Sequence, residues 1–249
     1  MNELTPMMKQ YMSIKEQYKD SILFFRLGDF YEMFFDDAII ASKELEITLT
    51  QRDCGLDEKA PMCGVPHHVA DQYISRLVDK GYKVAVCEQV EDPAMAKGIV
   101  KREIIKIVTP GTILDSMVLD EKSNNFLASI YYDDYGVGLS YVDNSTGEVY
   151  TTQFIGDEQY KMSFIIDELG KIMPSELIVN SNFSKEKKEL NLIKNKLNPF
   201  INVYEDKAID LNKCKGFIYD FFDEKIINKS NLDEKIYCLV SLGKLLIYL

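Results

Sequence analysis

The run Gly28-Asp29-Phe30-Tyr31-Glu32 places an aromatic ring two positions from a carboxylate, directly after a glycine that permits a sharp turn. Two kinds of chemistry fit it. In one, Asp29 and Glu32 stand at the three-residue spacing of a helix capping box, and Phe30 joins Phe34 and Ala41 on an apolar helical stripe. In the other, Phe30 is a wedge pushed between base steps from the minor groove, which unstacks and kinks a duplex. A mispaired step has already lost part of its pairing and stacking energy, so the ring enters there at lower cost than at a matched step. Glu32 would then hydrogen-bond an edge of the displaced base, and its charge near phosphates would penalise sites where that bond cannot form.

Other residues could support such a site. Lys97, Lys101, Arg102 and Lys106 form a basic cluster with Glu103 inside it, and read either as phosphate contacts or as an ordinary solvated face. Arg26 and Arg52 are weaker candidates of the same kind. The segment Pro61-Met62-Cys63-Gly64-Val65-Pro66-His67-His68 reads as a rigid loop holding both histidines; it is either structural or sets main chain or the His67 imidazole beside DNA. Cys54, Cys63, His67 and His68 match no standard zinc spacing, so no metal is expected. Asp133, Asp134 and Asp143 would be the carboxylates of a two-metal nuclease, yet Asp133-Asp134-Tyr135-Gly136 and Asp143-Asn144-Ser145-Thr146-Gly147 are both turn sequences. A phosphate loop is missing around Gly243-Lys244, and two adjacent histidines make no catalytic triad. No catalytic residue is assigned.

The elements that must position these residues alternate in type. Residues 21–27 are β-prone, and Phe30 to Leu45 carries apolar residues at helical spacing, which predicts strand, turn and helix. A short strand at 47–50, a polar loop at 51–59, a helix at 69–80 closed by Gly81, and strands at 83–90 and 103–108 complete a mixed α/β unit. The polar stretch DSMVLDEKSNN then reads as a linker. Strands at 126–132, 137–143 and 148–155 follow as an antiparallel meander. Helices at 158–171 and 184–196 come next, with strands at 176–179 and 200–204, in a ribonuclease-H-like order. The apolar helix at 233–249 needs a partner to cover it.

Bulk composition narrows the class. The chain of 249 residues has 40 Asp+Glu against 29 Lys+Arg, a net charge of -11, and neither half is basic, so any DNA contact must be local rather than bulk attraction. Five cysteines at irregular spacing favour reduced thiols and a cytoplasmic location. No signal peptide or membrane-spanning run is evident.

Three stretches, TPMMKQYMSIKEQYKDSILFFRLGDFYEMFFDDAIIASKELEITLTQRD, APMCGVPHHVADQYISRLVDKGYKVAVCEQVEDPAMAKG and IVTPGTILD, resemble the start of the bacterial MutS family of mismatch repair proteins, with the spacing between motifs in place. The resemblance implies that Phe30 and Glu32 are the family's Phe-x-Glu mismatch-reading pair, which favours the wedge over the capping box. It also implies that the region from Lys97 to Lys106 lies near the DNA backbone. From residue 126 the likeness is one of length, order and ribonuclease-H-like pattern, and it implies the family's connector domain, implicated in contacts with MutL. The implied organisation is a mixed-sheet α/β mismatch-recognition domain at 1–115, a linker at 116–125, a ribonuclease-H-like α/β connector at 126–232, and at 233–249 the first helix of a core or lever region. The implied partners are mismatched double-stranded DNA and MutL, with no membrane. ATP and Mg belong to the full-length family protein, a dimer or higher oligomer; this chain is expected to lack the ATPase, to bind no cofactor and to be monomeric. A nuclease using the second half and a docking module without a DNA role are the competing readings.

Overall fold

Thr5-Pro6 is a helix-opening pair: a hydroxyl that can accept an orphan N–H, and a ring whose fixed φ suits the first helical position. Helix α1 (Pro6–Gln17) begins there, with Thr5 Oγ1 accepting from the Met8 N–H at 3.4 Å. It escapes a reading based on apolar periodicity because only Met8 and Tyr11 are buried along it. The computed structural model describes residues 3–91, 98–112, 124–205 and 210–249. Lys97 and residues 116–123 of the expected linker lie outside them.

After β1 (Ser21–Leu27) the chain turns back on itself. The helix expected from Phe30 starts instead at Phe35, because Phe30–Phe34 is strand β2, followed by α2 (Phe35–Leu45). Gly28 adopts φ +57°, and the two-residue connection Gly28-Asp29 lets Leu27 pair with Phe30 and Phe25 with Glu32. Once the turn fixes this register, the backbone groups of β2 go into sheet ladders on both sides, and the helical reading with its Asp29–Glu32 capping box falls away. The expected loop at 61–68 is also mostly strand: β4 (Ala60–Pro66) pairs with β2 on one side and with β3 (Thr50–Arg52) on the other. Its prolines stand second and last, where a missing N–H interrupts the ladder least.

A 3-10 turn (His67–Val69) leads into α3 (Ala70–Asp79), then β5 (Lys83–Gln89) and β6 (Arg102–Val108). The first sheet has the order β3-β4-β2-β1-β5-β6, in which β1 and β5 are parallel and the other neighbours antiparallel. Its two faces are covered differently. Met8 and Tyr11 of α1 pack on Leu23, Phe25, Phe34, Ala85 and Cys87, while α2 and α3 cover the reverse face. Buried Asp37 ties three elements together: its carboxylate accepts from the Leu23 N–H at 3.0 Å, the Tyr11 hydroxyl at 3.2 Å and Lys15 Nζ at 2.9 Å. Burial, and then the charge of Asp37 beside it, push the Tyr11 phenol well above its ordinary pKa.

The second unit is built on β7 (Phe126–Tyr132), β8 (Gly136–Asp143), β9 (Glu148–Ile155), β10 (Glu176–Asn180) and β11 (Phe200–Tyr204), in the order β11-β10-β7-β8-β9. The first three form an antiparallel meander, and β10 runs parallel to both β7 and β11, the ribonuclease-H-like layout that the sequence suggests. Helices α4 (Glu158–Ile172), α5 (Ser181–Ser184) and α6 (Lys187–Leu197) bury Met162, Ile165, Leu169, Phe183 and Ile193 on one face. On the other lie α7 (Leu211–Phe221), α8 (Glu224–Ser230) and α9 (Ile236–Tyr248).

Helix α9 was expected to open a following region, but it packs on β7, β8, β9 and α7 and shares the core of this unit. It is apolar on nearly every side, as a helix buried between neighbours must be. The approach is close enough that a Cβ on Gly138 would stand 2.0 Å from the Tyr237 carbonyl oxygen. Among the described residues no helix is long and apolar enough to cross a membrane.

Two substitutions test this packing. Asp37→Ala removes the acceptor shared by α1 and β1 and is expected to lower stability by about 3 kcal/mol, read from urea unfolding; a change below about 0.5 kcal/mol would mean that the shared carboxylate is dispensable. Gly138→Ala must push α9 off β8 and is expected to cost about 2 kcal/mol or more. Native-state hydrogen exchange should then show faster exchange of the α9 amides.

Candidate nucleic-acid interface

The period of two along β2 decides where its side chains go. Phe30 is 46% exposed, Tyr31 is buried, and Glu32 is half-buried. Phe30 and Glu32 therefore share the face that α1 covers farther along at Phe25 and Phe34, whereas Tyr31 points to the face of α2 and α3 and packs on Phe24. Tyr11 meets the rings of Phe25 and Phe34 edge-on, at 5.4 and 5.0 Å between centroids. The open end of the sheet face begins past these rings.

Tyr31 anchors this strand from behind. Its hydroxyl donates to Glu88, whose carboxylate also meets Arg26 at 3.3 Å, and the Arg26 guanidinium lies 5.5 Å from the centre of the Tyr31 ring. Burial, and then the hydrogen bond to Glu88, raise the Tyr31 phenol above its ordinary pKa, so it serves as a neutral donor there. The turn is held from the side: the Asp29 carbonyl accepts from the His67 N–H at 2.9 Å and lies 3.1 Å from His67 Nδ1. His67 thus meets the hairpin tip through its main chain as well as its ring. Across from Glu32 stands Gly64, where a Cβ would come within 3.4 Å of Glu32 Cγ. No side chain there competes for the space beside the Glu32 carboxylate, which pairs with Arg52.

The basic cluster divides. Arg102 is buried: its Nε donates to the Arg26 carbonyl at 2.7 Å, its Nη1 to Gln10 and the Val100 carbonyl at 2.9 Å each, and its guanidinium lies 4.9 Å over the Phe25 ring. Burial lowers its pKa somewhat, and it serves to close the sheet face beside α1. Expected as a phosphate contact, Arg102 instead lies buried, with its Nε and Nη1 donors engaged inside the protein. Lys101 is exposed and paired with Glu103 at 2.5 Å, a hydrogen bond that raises its pKa. Lys106 is paired with Asp71 of α3 at 3.5 Å and pairs in register with Val86, on the sheet face opposite Phe30. The structure thus brings Phe30 and His67 together at one end of β2 and β4, with Glu32 next along β2 and Arg52, level with Ala60 at the other end of β4, reaching Glu32 through its side chain; it leaves Lys101 and Lys106 at the far edge strand. Sequence periodicity overlooks Gly64, the residue that leaves room beside Glu32; the two-residue turn at Gly28-Asp29 is the signal that would have put Phe30 and Glu32 in a strand.

The imagined zinc set does not converge. Cys54 and Cys63 are buried and approach the carbonyls of Glu58 and Ala38, and the described residues hold no group of three or more His, Cys, Asp or Glu placed to bind a metal. The nuclease carboxylates are turn formers. Asp133 accepts from the Tyr135 and Gly136 N–H groups at 2.9 and 3.0 Å and from the Tyr237 hydroxyl at 2.8 Å. Burial would raise the Asp143 carboxyl, but hydrogen bonds from Ser145, Asn125 and Thr146 outweigh it and leave the pKa below the ordinary value. Asp143 is level with Phe126 at one end of the β7–β8 ladder and Asp133 follows the other end. At about 3.3 Å per residue they stand roughly 20 Å apart, too far to share two adjacent metal ions.

Sequence comparison agrees with these two units. The family model MutS domain I matches residues 5–117 and MutS domain II matches residues 125–249. The DNA mismatch repair protein MutS of Caldicellulosiruptor bescii is 53% identical over 100% of this chain and 27% of its own length, and that of Acetivibrio thermocellus 51% over 100% and 28%. The MutS of Clostridioides difficile is 49% identical over 100% of this chain and 25% of its own. A solved Ppx/GppA family structure from Aquifex aeolicus shares 10% identity over 40% of this chain and 41% of that one, at a TM-score of 0.27, a likeness too slight to bear on function. The chain spans roughly a quarter of the length of the curated relatives it matches. With both units matched in order by family models and near 50% identity along the whole chain, it belongs to the MutS family.

Proposed function

We propose that the first unit reads mispaired DNA for mismatch repair, with Phe30 as the wedge and Glu32 as the group that hydrogen-bonds the displaced base. The observation that carries this reading is the large apolar ring of Phe30, 46% exposed at a hairpin end, with a carboxylate two residues on along the same strand face. Burial would have removed the ring from any duplex. An exposed phenylalanine contributes little to its own fold, so a role in contact with a partner accounts for it better than packing does. The relatives' name, DNA mismatch repair protein, points the same way.

Selectivity in this reading comes from deformability. A matched step resists the ring through its stacking energy, and a mispair yields. Lys101, at the far edge strand, is free to exchange its exposed ion pair with Glu103 for a phosphate. The second unit is proposed as the connector that passes the state of the reader to MutL and to the ATP- and Mg-using part of a longer, oligomeric assembly. Its acids are engaged in turns, so it acts as a scaffold in this reading and not as a nuclease.

The test is a hybrid in which this chain replaces the matching quarter of the Acetivibrio thermocellus relative. Phe30→Ala is expected to reduce the preference for a G·T-containing duplex over its matched counterpart by at least about tenfold, measured by fluorescence anisotropy, with the thermal midpoint unchanged. Unaltered preference would remove Phe30 from the role. Glu32→Ala is expected to relax the preference more than it lowers affinity for matched duplex; an unfolded protein instead would make Glu32 a structural residue.

A further inference from the structure

Glu32 can judge a base only if its carboxylate is held where a base can reach it, and a lone carboxylate on a flexible stem is not held. In the structure it is half-buried and pairs with Arg52, on the short edge strand β3, across the intervening β4, where Gly64 has no side chain to stand between them. The Arg52 side chain is 39% exposed and that of Glu32 14%. Such a pair lies between a screened surface contact and a buried one. Arg52 also lies on the Phe30 face of the sheet, since its register partner Ala60 belongs to the cluster under α1.

Resting on the mismatch-reading role of Glu32, we infer that Arg52 is a positioning residue for that reading: it holds the Glu32 carboxylate on the open face beside Phe30 and neutralises it there. Two consequences follow from charge alone. With Arg52 present, the reader meets phosphates without an uncompensated negative charge at its centre, in a chain whose net charge is already -11. A planar guanidinium also fixes the direction of the carboxylate it binds, so that one oxygen stays aimed while the other is free to take a base donor. Arg52 thus acts through Glu32, which sets this role apart from the phosphate contact that its basic character alone would suggest.

A double-mutant cycle in the hybrid protein separates the two. Arg52→Ala and Glu32→Ala are each expected to lower the ratio of mispaired to matched affinity about tenfold, and the double variant is expected to lose no more than either alone. Arg52→Lys, which keeps the charge without the planar fork, should recover part of the ratio. Unstacking, reported by 2-aminopurine beside the mispair, should persist in Arg52→Ala because Phe30 is untouched. Arg52→Gln serves as the second variant if the alanine form fails to fold by circular dichroism. Losses that multiply in the double variant would overturn the inference. So would an Arg52→Ala effect equal on both duplexes, with the salt dependence reduced by about one phosphate contact; that result would leave the wedge reading standing. If Glu32→Ala alone leaves the ratio unchanged, the mismatch-reading role of Glu32 fails, and the inference fails with it.

Discussion

The register of one hairpin governs the first unit. Because Gly28 and Asp29 close the turn in two residues, Leu27 faces Phe30, and every later side chain of β2 is assigned to a face by alternation. A slip of one residue would bury Phe30 and Glu32 under α2 and α3 and turn Tyr31 and Met33 outward. That error is opposed on both faces at once. On one side Tyr31 donates to Glu88, and on the other Phe34 meets the edge of Tyr11. The hairpin tip is tied down by the two contacts of His67 with the Asp29 carbonyl. A strand so constrained presents its exposed ring at a fixed height, a precondition for any wedge.

The covering of the sheet is equally selective. Helix α1 buries the sheet face as far as Phe25 and Phe34, and Arg102 extends that cover by lying over the Phe25 ring while its Nε and Nη1 donate to two carbonyls and Gln10. A residue that looks like a DNA contact by charge is thus spent on finishing the fold. What remains open is the end of β2 and β4 at Phe30 and Pro66, bordered by His67. The chain needs no basic surface to define it, which fits its acidic composition.

Much of this was legible in the sequence, and the failures have physical causes. The strands of the second sheet fall almost where the sequence puts them, because the first three are joined by turn sequences such as Asp143-Asn144-Ser145-Thr146-Gly147. Phe30 to Phe34 misled because FYEMF continues into the apolar spacing of α2, and five residues of which four are aromatic or apolar carry no clear period of their own. Pro61 and Pro66 disguised β4, which tolerates them at its margins next to a partner of only three residues. Helix α1 hid because its polar side chains outnumber its two buried anchors, Thr5-Pro6 being the only strong signal. For α9 the need for a partner was read correctly; the partner turned out to be β8, whose Gly138 makes room for it. As for the site, the pairing of Phe30 with Glu32 was visible, but the ion pair with Arg52 joins strands separated by β4, and no local pattern encodes a contact across an intervening strand.

That contact bears on how an acidic protein can approach DNA at all. In the proposed reading, a carboxylate at the centre of a DNA-reading face is a liability during search, when nearly every step encountered is matched and offers it nothing. Pairing it with Arg52 reduces the repulsion while leaving it mostly desolvated, at 14% exposure, so that a hydrogen bond formed at the right step is made in a medium of lower dielectric than water. The same partial burial makes the wrong step costly, because a desolvated acceptor without a donor loses more than an exposed one. Discrimination in the proposed reading therefore has two independent sources, the stacking energy that resists Phe30 and the unmet hydrogen bond of Glu32. The period of two in β2 puts the two side chains on one face of the strand, as that reading requires.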